Sequence, residues 1–501
     1  MEDAEKSMPE APVTSADEMP DPNQRPDCFR STVEETLFVL TATMAVSMTS
    51  FLQGLVIVIS SFAGADLDMS TAQITWITAS SSLTSGAFLL FFGKVADMFG
   101  RRAMFIGSLF LFAIFALVTG FSKSAMALDV LNGVLGLISA AAVPPAQGIL
   151  GNVYEKPSKR KNYAFACFSA GNPLGFVFGS IFSGIATQLF DWRASFFLLA
   201  IIYLVFSVIA VFTVPTDNTS KLPFTVESLK KFDVVGTALT VGGIGLFSTA
   251  LSLGGDAVNG WTTPYVLAFL FIGALLLVGF VFWELYYEYP LVPMGIWKDR
   301  EFSLLMGILL LGFLAFPPMD FWLALYMQRV EGYSALQTAV HFLPMAISGT
   351  LVNIVAGLIL HKVSNKFLMG LGAASYTVAF LLLAVHRHGN SYWAFIFPAL
   401  ILVVWGADFE FNVANMYVIS SLDKSQQSIG GSIFQTTAKL CVTVGVGIST
   451  AIFNAVSESP SKSGYYANNP YEPYAAVAWY CMGCAVISVL LVPFLRIKTQ
   501  G

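Results

Sequence analysis

The sequence predicts an all-α integral membrane protein of fourteen transmembrane helices, arranged as two six-helix bundles with an inserted central helix pair. Three observations carry this. Hydrophobic residues make up 56% of the 501 positions and charged residues 11%, whereas soluble domains carry about 25% charge because their surfaces face water. Apolar runs of membrane-crossing length, about 20 residues, recur along the whole chain. Lysine and arginine collect on alternate loops between those runs, the asymmetry that orients membrane proteins. The 44 phenylalanines and 41 glycines suit helices packed closely in lipid.

Residues 1–36 hold most of the acidic excess and several prolines, and read as a disordered cytoplasmic tail without the charged-then-apolar pattern of a cleaved leader. The N-terminal six-helix bundle spans 37–214, with spans near 37–62, 73–93, 103–121, 128–150, 162–188 and 194–214. A cytoplasmic loop at 215–233 leads to the inserted pair at 234–286, and a second loop covers 287–302. The C-terminal bundle spans 303–495, with spans near 303–327, 337–360, 367–385, 392–418, 428–455 and 475–495, before a tail at 496–501. With the N-terminus inside, seventeen Lys and Arg fall on the cytoplasmic loops and the C-terminal tail and five on the opposite loops, so both termini are expected in the cytoplasm.

The segment Gly93–Arg102, between spans 2 and 3, is echoed by Gly357–Lys366 between spans 10 and 11. Two related halves follow, the plan of carriers that hold their solute near the bilayer midplane. Several function classes drop out. No phosphate-binding loop or catalytic constellation appears, so neither an enzyme nor a built-in ATP motor is expected. The Cys481-x-x-Cys484 pair lies in an apolar run without a second pair or nearby histidines, so it reads as packing, with no metal and no cofactor. Basic residues form no continuous face, which excludes nucleic acid.

The loop Gly93-x-x-x-Asp97-x-x-Gly100-Arg101-Arg102 resembles motif A of the major facilitator superfamily, and it falls in the first short inside loop, as that motif does. In span 5, Gly171, Pro173, Gly175 and Gly179 resemble motif C of the antiporter branches, although their spacing also suits plain helix packing. Asp191-Trp192-Arg193-x-x-Phe196 resembles the stretch that precedes span 6 in that superfamily, and Asn412–Gln435 resembles the fungal aminotriazole/boron-resistance exporters of its fourteen-span drug:proton antiporter branch. The resemblance implies a latch at motif A, a small-molecule substrate, protons as a second partner and no obligatory protein partner. It also implies the plasma membrane, with the vacuolar membrane as the alternative. Two positions depart from the branch: Gln53 in span 1 and Asn132 in span 4 stand where it carries an aspartate and an arginine.

An ionisable residue inside a span is costly and marks function by default. Four stand out: Asp320, Asp408, Glu410 and Lys439. Asp320 follows Pro317-Pro318, which are expected to break span 9; it sits either in a solute pathway or near the outer interface. Asp408, Asn412 and Asn415 form one polar stripe on span 12 that faces a cavity or another helix, with Glu410 on the opposite side. Lys439 needs a water-filled cavity or a partner, Asp408 or Glu410, and Gln435 would line the same space. Trp322, Tyr326 and Trp405 are candidate apolar walls, while Glu284 and Glu288 read as solvated. The function expected is proton-driven export of a small molecule; the alternatives are an uncoupled facilitator or uptake carrier, and a transporter-like solute sensor.

Overall fold

The computed structural model describes residues 24–154, 158–216, 233–288, 290, 292, 294–359, 362–421 and 424–497. Most of the predicted 215–233 loop, the first 23 residues and the last four lie outside the described residues. The helices are α1 (Thr32–Asp66), α2 (Thr71–Phe99), α3 (Arg101–Gly120), α4 (Ala125–Val153), α5 (Lys159–Leu189) and α6 (Trp192–Thr213). The inserted pair is α7 (Val234–Asp256) and α8 (Pro264–Tyr286). The second bundle comprises α9 (Arg300–Arg329), α10 (Ala335–His341), α11 (Leu343–Ile359), α12 (Asn365–Ala384), α13 (Tyr392–Ser421), α14 (Lys424–Glu458) and α15 (Glu472–Leu491). Among the described residues thirteen segments are long and apolar enough to cross a membrane, α10 and α11 together making one. The 29-residue α2, packed along α4, brings the membrane-length helices to the fourteen expected.

Within the first bundle α1 lies along α5, α2 along α4 and α3 along α6. In the second, α12 lies along α13 and α15, and α9 along α14 and α15. The inserted helices pack on each other, and α7 rests on both α14 and α2. Leu83 and Ala87 of α2 and Leu440 of α14 meet Val241 and Ile244 of α7, so the pair covers one seam between the bundles. Its outer helix α8 leaves Phe271, Leu275 and Phe282 exposed, as lipid-facing residues are.

Helix starts differ from the hydropathy reading because polar residues open them. Helix α1 begins at Thr32 rather than 37: the Ser31 hydroxyl accepts the Glu34 N–H, and Glu34 and Glu35 occupy the first turn. Helix α9 begins at Arg300, where Asp299 accepts the N–H groups of Glu301 and Phe302. It also runs unbroken through Pro317 and Pro318, contrary to the expected break. Pro318 cannot donate to the Leu314 carbonyl four residues back; the Tyr480 hydroxyl of α15 donates to it instead, at 3.4 Å. Glu284, expected to be solvated, is buried and accepts the Val292 N–H at 2.8 Å, because the chain after α8 folds back beneath it. Glu288 is exposed.

Candidate transport pathway

The motif A turn needs its glycine: Gly100 has φ +107°, a conformation that side chains with a Cβ avoid. Arg101 donates to the Gly148 carbonyl of α4 at 3.3 Å, and Arg102 to the Val211 carbonyl of α6 at 3.0 Å. Both arginines therefore tie the loop to their own bundle. The Asp97 side chain lies outside the described residues, and Gly93 faces Pro144.

The glycines of α5 bring it into close contact with α1. A Cβ at Gly171, Gly175 or Gly179 would stand 2.6, 2.8 or 2.3 Å from the carbonyl oxygens of Thr43, Ser47 and Phe51 on α1. The Ser47 hydroxyl donates to the Gly171 carbonyl at 2.8 Å, and Ser50 donates to Asn172 beside Pro173. Gln53 is partly buried on α1. Asn132 is fully buried and donates within its own helix to the Leu128 carbonyl at 3.0 Å.

The two bundles meet toward the membrane face opposite the chain ends. Gln328 of α9 donates to the Val58 carbonyl of α1 at 2.8 Å, and Thr443 of α14 to the Ala79 carbonyl of α2 at 3.3 Å. Ala335 and Ala339 of α10 pack on Val58 and Phe62. Between these contacts Trp76, Ala79, Phe313, Val442 and Val446 form an apolar plug. Below the plug, α2 and α14 stay close: a Cβ at Gly86 would lie 2.9 Å from the Cβ of Lys439.

The four intramembrane charges separate. Glu410 is buried within the second bundle, its Oε2 2.8 Å from where a Cβ on Gly312 of α9 would stand and Tyr376 of α12 beside it. Asp320 lies two turns beyond Gly312 on the same face of α9, past Phe316, whose ring is 6.1 Å from that of Tyr376. Its side chain is buried in the protein. Asp408 and Asn412 face α11: Asp408 Oδ2 would touch a Cβ on Gly349 at 3.4 Å, and Asn412 donates to Asn353 Oδ1 at 3.0 Å. The expected stripe thus meets a neighbouring helix at these two positions, and Asn415 is partly buried one turn on. Among the described residues Lys439 makes no ion pair, so neither Asp408 nor Glu410 supplies the expected partner. Gln435, one turn before it, is partly buried. Trp322 and Tyr326 are fully buried: Trp322 donates to Ser449 at 2.9 Å and stacks on Phe453, leaving Trp405 alone partly open.

Sequence reasoning passed over several polar groups. Asp129 sits one turn into α4 with its Oδ1 buried and without a partner among the described residues, a signal visible in the sequence as a carboxylate inside a span. On α2 the hydroxyls of Thr78, Ser80, Ser82 and Ser85 are buried without a partner among the described residues. A run of small polar residues in an apolar helix was their signature.

The sequence profile of the Major Facilitator Superfamily matches residues 39–446. Similar proteins include a low affinity ammonium transporter of Saccharomyces cerevisiae, 29% identical over 81% of this chain and 78% of that one. The efflux pump terJ of Aspergillus terreus is 29% identical over 84% and 80%. The aminotriazole resistance protein of Saccharomyces cerevisiae is 25% identical over 87% and 82%. Among solved structures, a peptide transporter POT in complex with sulfate superposes with a TM-score of 0.66 at 16% identity, covering 93% of this chain and 96% of that one. With thirteen candidate membrane spans among the described residues and a profile match across most of its length, the chain belongs to the Major Facilitator Superfamily of transporters.

Proposed function

We propose that this transporter exports a small, mostly apolar or weakly charged molecule in exchange for protons, with both termini in the cytoplasm and the plasma membrane as its site. One observation carries the reading. Helix α9 holds a buried carboxylate, Asp320, and, eight residues on, Gln328, which locks the bundles together at the far face. Eight helical residues span about 12 Å, so one element joins a group able to carry a proton to the contact that must break for the carrier to open. A carboxylate in the membrane interior is costly when ionised, and protonation removes that cost. Proton loading therefore changes the stability of the packing that positions α9. The relatives named as an efflux pump and an aminotriazole resistance protein support the outward direction.

An uncoupled facilitator or uptake carrier is the second reading. It is favoured by the relative named as an ammonium transporter, and by Gln53 and Asn132 standing where the branch carries ionisable groups. Aminotriazole flux in proteoliposomes, with and without an imposed pH gradient, separates the two. Wild-type flux is expected to follow the gradient, Asp320→Asn to lose that dependence, and Asp408→Asn, whose carboxylate is packed against α11, to keep it. Flux indifferent to the gradient in all three proteins would establish the facilitator.

A further inference from the structure

Lys439 is the cation that the mechanism above leaves unused, and its surroundings are specific. It stands near the middle of α14, partly open although its Cβ meets Gly86 of α2. Its neighbours on α14 fix which way it points. Gly445 and Ser449 turn toward α9, where Gly445 meets the Leu314 carbonyl and Ser449 accepts from Trp322. Leu440 turns the other way, onto the seam with α2 and α7. At 100° per residue Lys439 lies between these two directions, facing the space between the bundles rather than lipid.

Two unpartnered hydroxyls share that space. On α2, Ala79, Ser82 and Gly86 fall on one face at i, i+3 and i+7, and both Ala79 and Gly86 touch α14. Ser82, between them, is 1% exposed and its Oγ has no partner among the described residues. One turn from Lys439 on its own helix, Thr436 is 3% exposed and its Oγ1 also has no partner among the described residues. Buried hydroxyls are normally satisfied, often by their own helix carbonyls. Directly above stands the apolar plug with Phe313 and Val442.

We infer that Lys439, Ser82 and Thr436 form a binding site for the carboxylate of a small organic anion whose apolar body rests against the plug. An ammonium inside a span is stabilised by an anionic partner, and the two hydroxyls donate to the remaining carboxylate lone pairs. The residues of the plug are apolar or aromatic and carry no second charge. This names the substrate class of the proposed transporter and rests on that reading for its physiological role. Binding itself requires neither transport direction nor proton coupling.

The test is equilibrium binding to the purified full chain in lipid nanodiscs, without any gradient, using benzoate and its neutral isostere benzamide. Wild type is expected to prefer benzoate by about tenfold or more, the usual effect of a charge-assisted contact in a desolvated site. Lys439→Met is expected to abolish the preference, Lys439→Arg to retain part of it, and Ser82→Ala to weaken benzoate several-fold without affecting benzamide. Equal binding of the two compounds by wild type would overturn the assignment without any variant, as would full preference in a folded Lys439→Met. Should the Met variant fail to fold, a several-fold reduced preference in Ser82→Ala supports the site, and unchanged preference there contradicts it. Because binding is read at equilibrium, benzoate preference combined with gradient-independent flux would leave the site standing and remove only the antiport mechanism.

Discussion

The helix pairs α1–α5 and α9–α14 occupy matching places in the two bundles, and they are built differently. In the first, three glycines spaced four apart bring α5 against three carbonyls of α1. In the second, only Gly445 makes such an approach, 2.4 Å from the Leu314 carbonyl, and the rest is side-chain packing led by the stack of Trp322 on Phe453. The charges divide in the same way. Deep in the described membrane-spanning helices the second bundle carries Asp320, Asp408, Glu410 and Lys439, while the first carries Asp129 one turn from a helix end. Backbone-to-backbone contact leaves no room for rotamer change or a hydrated group, whereas side-chain packing tolerates both. A duplicated fold thus holds a stiff half and a titratable half.

The glycine seam offers the sharpest way to break this comparison. Alanine at Gly171, Gly175 or Gly179 forces a methyl into a carbonyl, and overpacking of this kind costs typically 1–3 kcal/mol. Each substitution should lower the thermal stability of the purified protein, and the triple variant should fail to yield monodisperse carrier. Along α9–α14 only Gly445→Ala should behave so. Equal tolerance in both seams would remove the distinction.

A smaller effect is expected at the lock. Gln328→Ala removes a hydrogen bond worth about 1 kcal/mol, or about fivefold in the balance between closed and open far faces. A cysteine placed at Ala335 in a cysteine-free background should react correspondingly faster with a membrane-impermeant reagent. An unchanged rate would show that this bond does not hold the far face shut.

A pH-dependent effect concerns the far-face loop after α12. Burial lowers the His386 pKa to about 4, with nearby His388 acting in the same direction and Glu331 opposing. Its Nε2 lies 3.1 Å from the Tyr326 hydroxyl, the Tyr471 and Phe395 rings pack on it, and Glu331 receives His388 at 2.9 Å. The unfolded chain, with a histidine near 6.5, binds the proton first. The stabilising contribution is therefore complete above that pH and is lost as pH falls through 6.5 toward 4. Melting temperatures should decline across that window in wild type and less steeply in His386→Gln; identical slopes would exclude His386 as the cause.

The sequence made the helices legible because membrane-length apolar runs need no knowledge of neighbours, and the loop charges then implied a side for each end. What it left hidden was rotation. The spacing of Asp408 and Asn412 marks one stripe, but only the position of α11 shows that they meet Asn353 rather than Lys439. Likewise Glu284 reads as an exposed helix-end acid until the returning chain places the Val292 amide over it. The glycines of α5 carried packing and a motif in the same residues, and the carbonyls of α1 that they meet cannot be read from a one-dimensional pattern. Polar first turns such as Ser31–Glu35 fell outside hydropathy because a helix cap is itself polar.

The most direct test of the division between a stiff and a titratable half uses proteoliposomes with a pH-sensitive dye in the lumen and no imposed gradient. Addition of a transported compound to wild type should move protons opposite to the compound. Asp320→Asn should abolish that movement, and Asp129→Asn, in the other half, should leave it intact. Loss of proton movement in Asp129→Asn with retention in Asp320→Asn would contradict the assignment of coupling to the second bundle.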